Sequence, residues 1–430
     1  MRTVSKTVIG VDFGTQSARA VLVNAENGEI IYSCRKEYPY NSTPVPAIDC
    51  AENLPCATDY EMTLYELLRN VIPEEYRKTV AGICVDATSL TMVLLAEDGR
   101  ALSELDGWSE AAHARVKLWK YHRAQEKADE ALNLARNLQE PFLGRTGGSI
   151  SCEWMLPKLL EVRDEAPEIY SKIDLAMDLC EFLTFRLTGQ LVRSIGSLSY
   201  KCLWAEDLSF PERTFLNGLR AGFYEEYCHF LRGDVRKLGE CAGVLRSELT
   251  KRWGLPEQIP VATGMLDGHT SLATMGAFEP GDAALIVGTS NVCTVQDRKL
   301  QELKDVCGVA QDGMVTGSCG IDTGQSSTGN MLGWFVEHMA GWQIHREAEE
   351  RKISPHQVLA ERIQKPWENK VIAVDWWSGS RNAPCDLTLR GSMSGLEMDT
   401  KTEDIYLALL QAIACGTGTI LESLSGQGVE

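Results

Sequence analysis

Apolar and polar residues alternate along the first forty positions in three short runs, which predicts strands rather than helices. The runs are "TVIGVDF", "ARAVLV" and "EIIYSCRKEY", separated by turns at Gly14-Thr15-Gln16-Ser17 and at Glu26-Asn27-Gly28. An Asn-Gly pair between two β-rich runs is a strong hairpin signal. The N-terminal segment is therefore predicted to be a three-stranded meander.

The pattern then changes to helical spacing over residues 58–71 and returns to a buried strand in "VAGICVDATS", with a further strand in "TMVLLAEDGR". A long amphipathic helix is predicted over residues 109–137, because Ala112, Val116, Trp119 and Leu132 recur at helical spacing. Helical patterns continue over residues 152–187. This half of the chain is predicted to be α/β with a helical insertion.

A second strand, Gly-Thr turn and strand occur in "DAALIVGTSNVCTVQD", residues 282–297. Pro256 and Pro260 bracket a linker, and a short strand follows it before an Asp-Gly turn and a helix. The two hairpins lie about 275 residues apart, which indicates a duplicated architecture. We predict an α/β protein of two domains, 1–255 and 256–430, with a central cleft.

Composition narrows the classes of partner. The 430 residues are 44% hydrophobic and 24% charged, ordinary proportions for a folded protein of two or three domains. A net charge of −18 argues against nucleic acid and anionic membranes as partners. We expect no membrane span and no export signal, so the 14 cysteines are read as reduced thiols in the cytoplasm. No C-x-x-C pair supports a zinc site.

Both Gly-Thr turns have the composition of a phosphate-binding loop. Such turns present backbone N–H groups and hydroxyls to an oxyanion without requiring much positive charge. Asp12 precedes the first turn, where a carboxylate can hold a hydrated Mg²⁺ against phosphates. The alternative is that both turns are plain hairpin turns and that Asp12 is a polar strand-end residue.

Asp267 in "GMLDGHTS" also has two interpretations. At the start of a helix, an aspartate commonly serves as the N-cap. A carboxylate facing a cleft at this place can instead accept the proton of a hydroxyl that attacks a γ-phosphate. His269, two residues further on, is interpreted as structural.

Three other positions are candidate binding residues. Trp119 is predicted to lie on a helix, either packed in the core or lining a sugar site. Lys201 in "LSYKCLW" has apolar neighbours and can project into a cleft toward substrate hydroxyls. Asp322 in "GSCGIDTGQSSTGN" stands among small polar residues, a composition that favours a binding loop over a core strand.

Several long motifs in this order resemble the sugar kinases of the FGGY carbohydrate kinase family. They are "IGVDFGTQSARAVLV", "VKLWKYHRAQEKADEA", "GRTGGSISCEWMLPKLLE", "CGVAQDGMVTGSCGIDTGQSSTGN", "AVDWWSGSRNAP" and "TKTEDIYLALLQAIACGTG". The resemblance covers residues 7–428. It implies the actin-like fold of two α/β domains around a cleft, and ATP-dependent phosphorylation of a ketopentose, with L-ribulose as the first candidate.

The resemblance also assigns roles to particular residues. It makes Asp267 the general base and Asp12 the aspartate linked to Mg²⁺. The phosphate and nucleotide contacts that it implies are Asp12, Gly14, Thr15, Gln16, Gly288, Thr289, Ser290 and Gln325. The implied sugar contacts are Ser89, Trp119, Lys201, Asp267 and Asp322. The expected partners are a small sugar and MgATP in the cytoplasm, and enzymes of this kind are often homodimers.

Two departures from the family pattern bear on function. Asp322 stands where the pattern has Glu, so its carboxylate is set back by about 1.5 Å, roughly one bond length. The pattern also continues past the helix "EDIYLALLQAIACGTGTILESL" into an adenine-binding segment, and we expect a second domain that lacks this end. D-ribulose, D-xylulose, another polyol and a non-catalytic sugar-binding remnant stay open as alternatives.

Overall fold

The structure is a computed structural model that describes residues 5–39, 54–365, 368–381, 385–386 and 388–430. Residues 382–384, at the end of the "AVDWWSGSRNAP" motif, lie outside the described residues. Contacts divide the chain into two compact units. The first unit contains the residues up to Leu143, then Ser149–Thr274 and Ala310–Cys319, and the second contains Gly144–Gly148, Met275–Val309 and Gly320–Glu430. The division after residue 255 stays a prediction.

The strands and helices of the first unit follow the predicted order of a meander, an α/β segment and a helical insertion. They are β1 (Thr7–Phe13), β2 (Ser17–Asn24), β3 (Ile30–Glu37), α1 (Ala57–Val71), β4 (Val80–Ala87), β5 (Met92–Leu95), α2 (Gln125–Leu138), α3 (Met155–Glu165), α4 (Pro167–Tyr170), β6 (Leu175–Asp178), α5 (Leu179–Thr188), β7 (Val192–Ser194), α6 (Ile195–Lys201), α7 (Arg213–Leu219), α8 (Phe223–Phe230), β8 (Asp234–Arg236), β9 (Cys241–Val244), α9 (Ser247–Trp253), β10 (Pro260–Ala262), β11 (Met265–Leu266) and α10 (Asp267–Met275). The meander and the helix predicted over 58–71 are confirmed.

The main sheet of the first unit has the strand order β3-β2-β1-β4-β10-β9, and β11 also pairs with β4. The meander strands are antiparallel, whereas β4 runs parallel to β1, β10 and β11. Alternate residues of β1 and β2 are buried, as their period of two requires for a sheet with one face on the core. Helices α1 and α5 contribute Leu64, Leu68 and Leu183 to that core.

A second core in the same unit belongs to the helical insertion. It includes Ala128 of α2, Leu156 and Leu159 of α3, Phe215 of α7 and Phe223 of α8, all fully buried. Burying a large apolar side chain contributes about 1.5–3 kcal/mol. The insertion therefore has its own packed interior and is not a set of surface helices.

The second unit begins with the second predicted hairpin. Its elements are β12 (Ala283–Val287), β13 (Asn291–Asp297), β14 (Gly308–Gln311), β15 (Cys319–Gln325), α11 (Gly329–Met339), α12 (Gly341–Arg351), α13 (Pro355–Arg362), β16 (Ile372–Val374), β17 (Ser392–Ser394) and α14 (Thr402–Gly426). The strand order is β12-β13-β15-β14, with the first residue of β15 and the end of β14 grouped in the first unit. The β12–β13 hairpin confirms the predicted repeat of strand, Gly-Thr turn and strand.

An apolar stripe at helical spacing, made of Ile405, Leu409, Ile413, Ile420 and Leu424, predicts a long helix, and the structure confirms it as α14. The spacing of Thr400 and Glu403 in the sequence predicts a capping box. That prediction is wrong, because Asp404 caps the N-terminus of α14 instead, its carboxylate accepting from the Lys401 amide at 2.9 Å. The expectation that no segment matches a membrane span also needs correction, because α14 meets the length and composition of one. This is weak evidence, since core helices pass the same test and Leu409 of α14 is fully buried in the second unit.

Candidate active site

Three aspartates meet at the carboxyl ends of neighbouring parallel strands in the first unit. Asp12 near the end of β1 is in register with Asp86 near the end of β4. Strand β11 pairs with the same end of β4, Met265 opposite Asp86, and Asp267 follows directly as the first residue of α10. In open α/β sheets, ligands bind outside the carboxyl ends of the strands. This edge of the sheet therefore brings three carboxyl groups together at the place where a ligand would bind.

The environment of these carboxylates favours a proton or a cation between them. Burial raises the pKa of Asp86 well above its usual range, and the charge of Asp12, a hydrogen bond with Asp12 and the charge of Asp267 add to the shift. Arg19 of β2 lies 3.5 Å from Asp12 in an exposed ion pair. Asp12 and Asp86 thus form a pair of neighbouring carboxyl groups at this edge of the sheet.

The pKa of Asp267 is also raised, chiefly by burial. Two backbone amides oppose this shift by donating to its carboxylate: that of Gly268, at 2.7 Å, and that of Ser89. The Gly268 contact confirms that Asp267 stands at a helix start. A carboxylate that is part-desolvated and fixed by two amides is suited to accept a proton.

The donor set of Asp12 and Asp86 fits Mg²⁺. Within the part of the chain that the structure describes, no set of three or more His, Cys, Asp or Glu side chains is spaced to hold a metal ion by itself. Mg²⁺ does not require such a cage, because it commonly uses one or two carboxylates, several waters and the substrate phosphates. A divalent cation at this place would also displace the proton that the raised pKa of Asp86 favours.

The turn after β1 is fixed by hydrogen bonds at its amide and carbonyl groups. The Gly14 amide donates to the Ser17 carbonyl at 3.2 Å, and the Tyr38 hydroxyl donates to the Gly14 carbonyl at 2.8 Å. The Trp119 indole N–H donates to the Thr15 hydroxyl oxygen at 3.1 Å. Trp119 therefore lies against the first predicted phosphate turn, which also contains Gln16.

The helix predicted over residues 109–137 is wrong in its first half. Helix α2 begins only at Gln125, and Trp119 lies in an irregular segment. The reason is a two-way backbone pairing between Lys117 and Met92 of β5, with N···O distances of 2.9 and 3.2 Å. A residue that uses both backbone groups on a strand has none left for helical bonds. Apolar spacing alone did not reveal this competing partner.

Lys201 and His269 lie close to the aromatic ring of Tyr200. Lys201 is the last residue of α6, its side chain is buried, and its Nζ lies 5.9 Å from the Tyr200 ring centroid. His269 packs edge-on against the same ring, with centroids 4.7 Å apart. The structural interpretation of His269 agrees with this packing, and the sugar contact of Lys201 stays a prediction.

In the second unit, the turn between β12 and β13 is fixed through its carbonyl groups. The Gly288 carbonyl accepts from the Gly329 amide at 3.0 Å and from the Thr328 hydroxyl at 3.0 Å. The Thr289 carbonyl accepts from the Thr328 amide at 3.2 Å. The start of α11 thus holds the shape of the turn that ends at Ser290. Phosphate binding by this turn stays a prediction.

Asp322 lies in a core strand, which corrects the expectation of a binding loop. Every residue of β15 is buried, and β15 lies between β13 and β14. The small residues serve close strand packing, because a Cβ at Gly324 would lie 2.1 Å from the Asn291 carbonyl oxygen. The charge of Asp322 helps to raise the pKa of Cys293 to about 11, after the larger effect of burial.

Gln325, at the end of β15, joins four neighbours through its amide. Its Nε2 donates to Asp375 Oδ2 at 2.6 Å and to the Ile413 carbonyl at 2.9 Å. Its Oε1 accepts from Asn291 Nδ2 at 3.0 Å and from the Thr417 hydroxyl at 2.7 Å. An amide has two donors and two acceptor positions, and these bonds use all four. A phosphate contact by Gln325 stays a prediction and would require one of these bonds to be exchanged.

Asp86 is the functional candidate that sequence reasoning missed. The signal was present, because "VDA" ends the strand 80–87 as "VDF" ends the first strand. Parallel pairing of the two strands places these aspartates side by side. That pairing is a tertiary feature, and nothing local to residues 80–87 requires it.

These observations define a class of protein. An acidic strand edge, a fixed Gly-Thr turn beside it and a second hairpin of the same kind suit an enzyme that transfers phosphate from a nucleotide. The chain belongs to the FGGY family of carbohydrate kinases: the N-terminal domain of that family matches residues 7–274 and the C-terminal domain matches residues 283–430. It is a sugar kinase, and the family uses ATP.

Two relatives have a higher sequence identity over most of the chain. A ribulokinase from Halalkalibacterium halodurans is 34% identical over 99% of this chain and 77% of its own length. A ribulokinase from Mycolicibacterium smegmatis is 36% identical over the same shares. The chain thus spans about three quarters of the length of these relatives.

Solved structures support the fold. A xylulose kinase from Brucella ovis matches with a TM-score of 0.77 at 21% identity, covering 99% of this chain and 80% of that one. A glycerol kinase from Plasmodium falciparum, solved with ADP, matches with a TM-score of 0.78 at 16% identity and the same coverage. The resemblance inferred from the motifs and the two-domain sugar-kinase fold are confirmed.

Proposed function

We propose that the protein phosphorylates a ketopentose at its terminal hydroxyl, converting L-ribulose to L-ribulose 5-phosphate with MgATP. The observation that carries this proposal is Asp267 at the start of α10, held by the Ser89 and Gly268 amides next to Asp12 and Asp86. The ribulokinase relatives at 34% and 36% identity support the choice of sugar. The proposed setting is the cytoplasm, and the protein is proposed to act as a homodimer.

In the proposed mechanism, Asp267 is the general base. The terminal hydroxyl gives its proton to the Asp267 carboxylate while its oxygen forms a bond to the γ-phosphorus. The bond between that phosphorus and the bridging oxygen breaks in line, and ADP leaves with the electron pair. The raised pKa of Asp267 makes the carboxylate a stronger base than an exposed aspartate.

Asp12 and Asp86 are the residues proposed to hold Mg²⁺. When bound there, the cation would neutralise charge on the phosphates. The turn residues Gly14, Thr15 and Gln16 in the first unit are proposed to contact phosphate through backbone N–H groups and hydroxyls, as are the following residues in the second unit: Gly288, Thr289, Ser290 and Gln325.

Ser89, Trp119, Lys201 and Asp322 are proposed to contact the sugar. Asp322 is the position that decides between sugars, because it is one methylene shorter than the Glu of the family pattern. A single changed contact in a pocket alters preference by about 10 to 200-fold. D-ribulose and D-xylulose are therefore the competing substrates to compare with L-ribulose.

The test is sugar-dependent ADP release with MgATP and a panel of L-ribulose, D-ribulose, D-xylulose and glycerol, together with sugar binding by calorimetry. We expect the highest kcat/KM with L-ribulose. Asp322→Glu is expected to change the ratio between the three ketoses by roughly tenfold, whereas the exposed Asp399→Glu leaves it unchanged. Strong turnover with glycerol alone contradicts the ketopentose assignment. Sugar binding without any turnover favours a binding protein.

A further inference from the structure

Lys158 of α3 is a buried lysine whose hydrogen-bond partners, among the residues that the structure describes, are main-chain oxygen atoms. Its side chain is fully buried, and its Nζ donates to the carbonyls of Leu90 at 2.6 Å, Leu118 at 2.9 Å and Lys117 at 3.3 Å. An ammonium group has three donors, and these three bonds use them all. Burial lowers the pKa of Lys158 to about 7. The cost of burying this charge is thus offset by two backbone segments that lie far apart in sequence.

The first segment is the turn of residues 88–91 after β4. Leu90 has a left-handed backbone with φ of 61°, a strained conformation for a residue with a Cβ. The Leu90 amide donates to Asp178 Oδ2 at 3.2 Å, and the Thr91 amide donates to Asp178 Oδ1 at 3.2 Å. The Leu90 carbonyl accepts from Lys158 Nζ. A buried anion and a buried cation therefore fix this strained turn from its two sides.

The turn is directly connected to the proposed general base. The residue before Leu90 is Ser89, whose amide donates to the Asp267 carboxylate. That N–H belongs to the Thr88–Ser89 peptide, so its direction depends on the conformation of the turn of residues 88–91. The Leu90 carbonyl that Lys158 holds belongs to the Leu90–Thr91 peptide, two peptides further along the same turn, and Asp178 holds the N–H of the peptide between them. Lys158 and Asp178 together therefore restrain the turn that carries the donor to Asp267.

The second segment carries the proposed sugar contact Trp119. The carbonyls of Lys117 and Leu118 both accept from Lys158, and the Leu118 carbonyl is part of the peptide that leads into Trp119. This irregular segment is the one that replaces the first half of the predicted helix. The Trp119 indole then reaches Thr15 of the first turn.

We propose that Lys158 is a positioning residue of the sugar site, joining the turn that orients Asp267 through Ser89 to the segment that carries Trp119. The proposal rests on the proposed function in assigning Asp267 and Trp119 to the sugar. Lys158 itself does not touch substrate. Loss of its ammonium group releases both segments, so sugar affinity and turnover fall together.

The test compares Lys158→Met with Leu160→Ala. Methionine keeps the length of the side chain and removes its three donors. Leu160 lies on the same helix, is also fully buried and points to a different face, so its truncation serves as a control for lost stability. Hydrogen exchange of the amides of residues 88–91 and 117–119 is measured in both variants, along with melting temperature, ketopentose affinity and kcat.

We expect Lys158→Met to raise exchange in both segments at least tenfold more than Leu160→Ala, and to weaken ketopentose binding and lower kcat at least tenfold. Leu160→Ala should keep affinity and kcat within twofold. Unchanged exchange in Lys158→Met, or an equal rise in Leu160→Ala, overturns the positioning role. If exchange rises as expected but the wild-type protein binds no ketopentose, the proposed function is wrong. The result would then still support Lys158 as the residue that holds the two segments together.

Discussion

Two glycines of α14 predict opposite effects of the same substitution. A Cβ added at Gly416 would lie 2.5 Å from Gln325 Nε2 and 2.6 Å from Asp375 Oδ2, whereas nothing lies within 4 Å of a Cβ at Gly418. Both positions are inside the helix. Alanine therefore favours the helix more than glycine does at both sites, but at Gly416 its Cβ would overlap the side chains of Gln325 and Asp375.

The magnitudes follow from these distances. Gly→Ala inside a helix stabilises by about 1 kcal/mol, which is the full expected effect at Gly418. At Gly416, the two side-chain ends are held by hydrogen bonds of 2.6 Å to each other and 2.9 Å to the Ile413 carbonyl. Overpacking costs about 1–3 kcal/mol, and a lost hydrogen bond to a charged group costs about 1.5–3 kcal/mol. After the gain of about 1 kcal/mol in helix propensity is subtracted, the two costs together should lower the free energy of unfolding of Gly416→Ala by about 1.5–5 kcal/mol.

The assay is urea unfolding of the two variants and the wild-type protein under one set of conditions, with the midpoint and slope fitted for each. We expect Gly418→Ala to unfold at higher urea than wild type and Gly416→Ala at lower urea. A Gly416→Ala protein as stable as Gly418→Ala would refute the packing of Gln325 and Asp375 against this helix.

Three further results are expected. Asp86→Asn should raise the apparent KM for Mg²⁺ by roughly tenfold, because the second carboxylate of the proposed cation site is lost; an unchanged Mg²⁺ dependence in initial-rate assays argues against that site. Burial and the nearby charge of Glu181 raise the pKa of Asp178 to about 6, so the folded state binds its proton more tightly than the unfolded state. The stability from this group is present below about pH 4 and is lost toward pH 6, a fall of about 3 kcal/mol that Asp178→Asn should abolish in unfolding curves across that range. Trp119→Phe removes the hydrogen bond to Thr15 and should raise KM for MgATP by roughly fivefold, about 1 kcal/mol, while Trp108→Phe leaves it unchanged.

Local patterns predicted the parts of the fold that depend on local interactions. The alternation in residues 7–37 gives the meander, and the apolar stripe of residues 402–426 gives α14. The helix over residues 109–124 failed because the Lys117 backbone pairs with Met92, a partner 25 positions away that no periodicity reveals. Asp322 was assigned to a loop because small residues also suit a strand that packs closely on its neighbours.

The candidate site shows the same limit. Asp12 and Asp267 stand beside turn signals and were predicted from the sequence. Asp86 was missed although "VDA" repeats "VDF", because its proximity to Asp12 depends on the register of parallel strands. Lys158 reads as an ordinary helix residue in "EWMLPKLLE", and only the fold brings the Leu90 and Leu118 carbonyls to its ammonium group.

The measurement that tests the central claim most directly is the effect of Asp267→Asn on ketopentose phosphorylation. Asparagine keeps the shape of the side chain and cannot accept the proton of the sugar hydroxyl as a base. We predict that L-ribulose-dependent ADP release falls at least a hundredfold, within the usual range for loss of general base catalysis, while L-ribulose affinity by calorimetry changes less than tenfold. An Asn variant that phosphorylates L-ribulose at the wild-type rate would contradict the account.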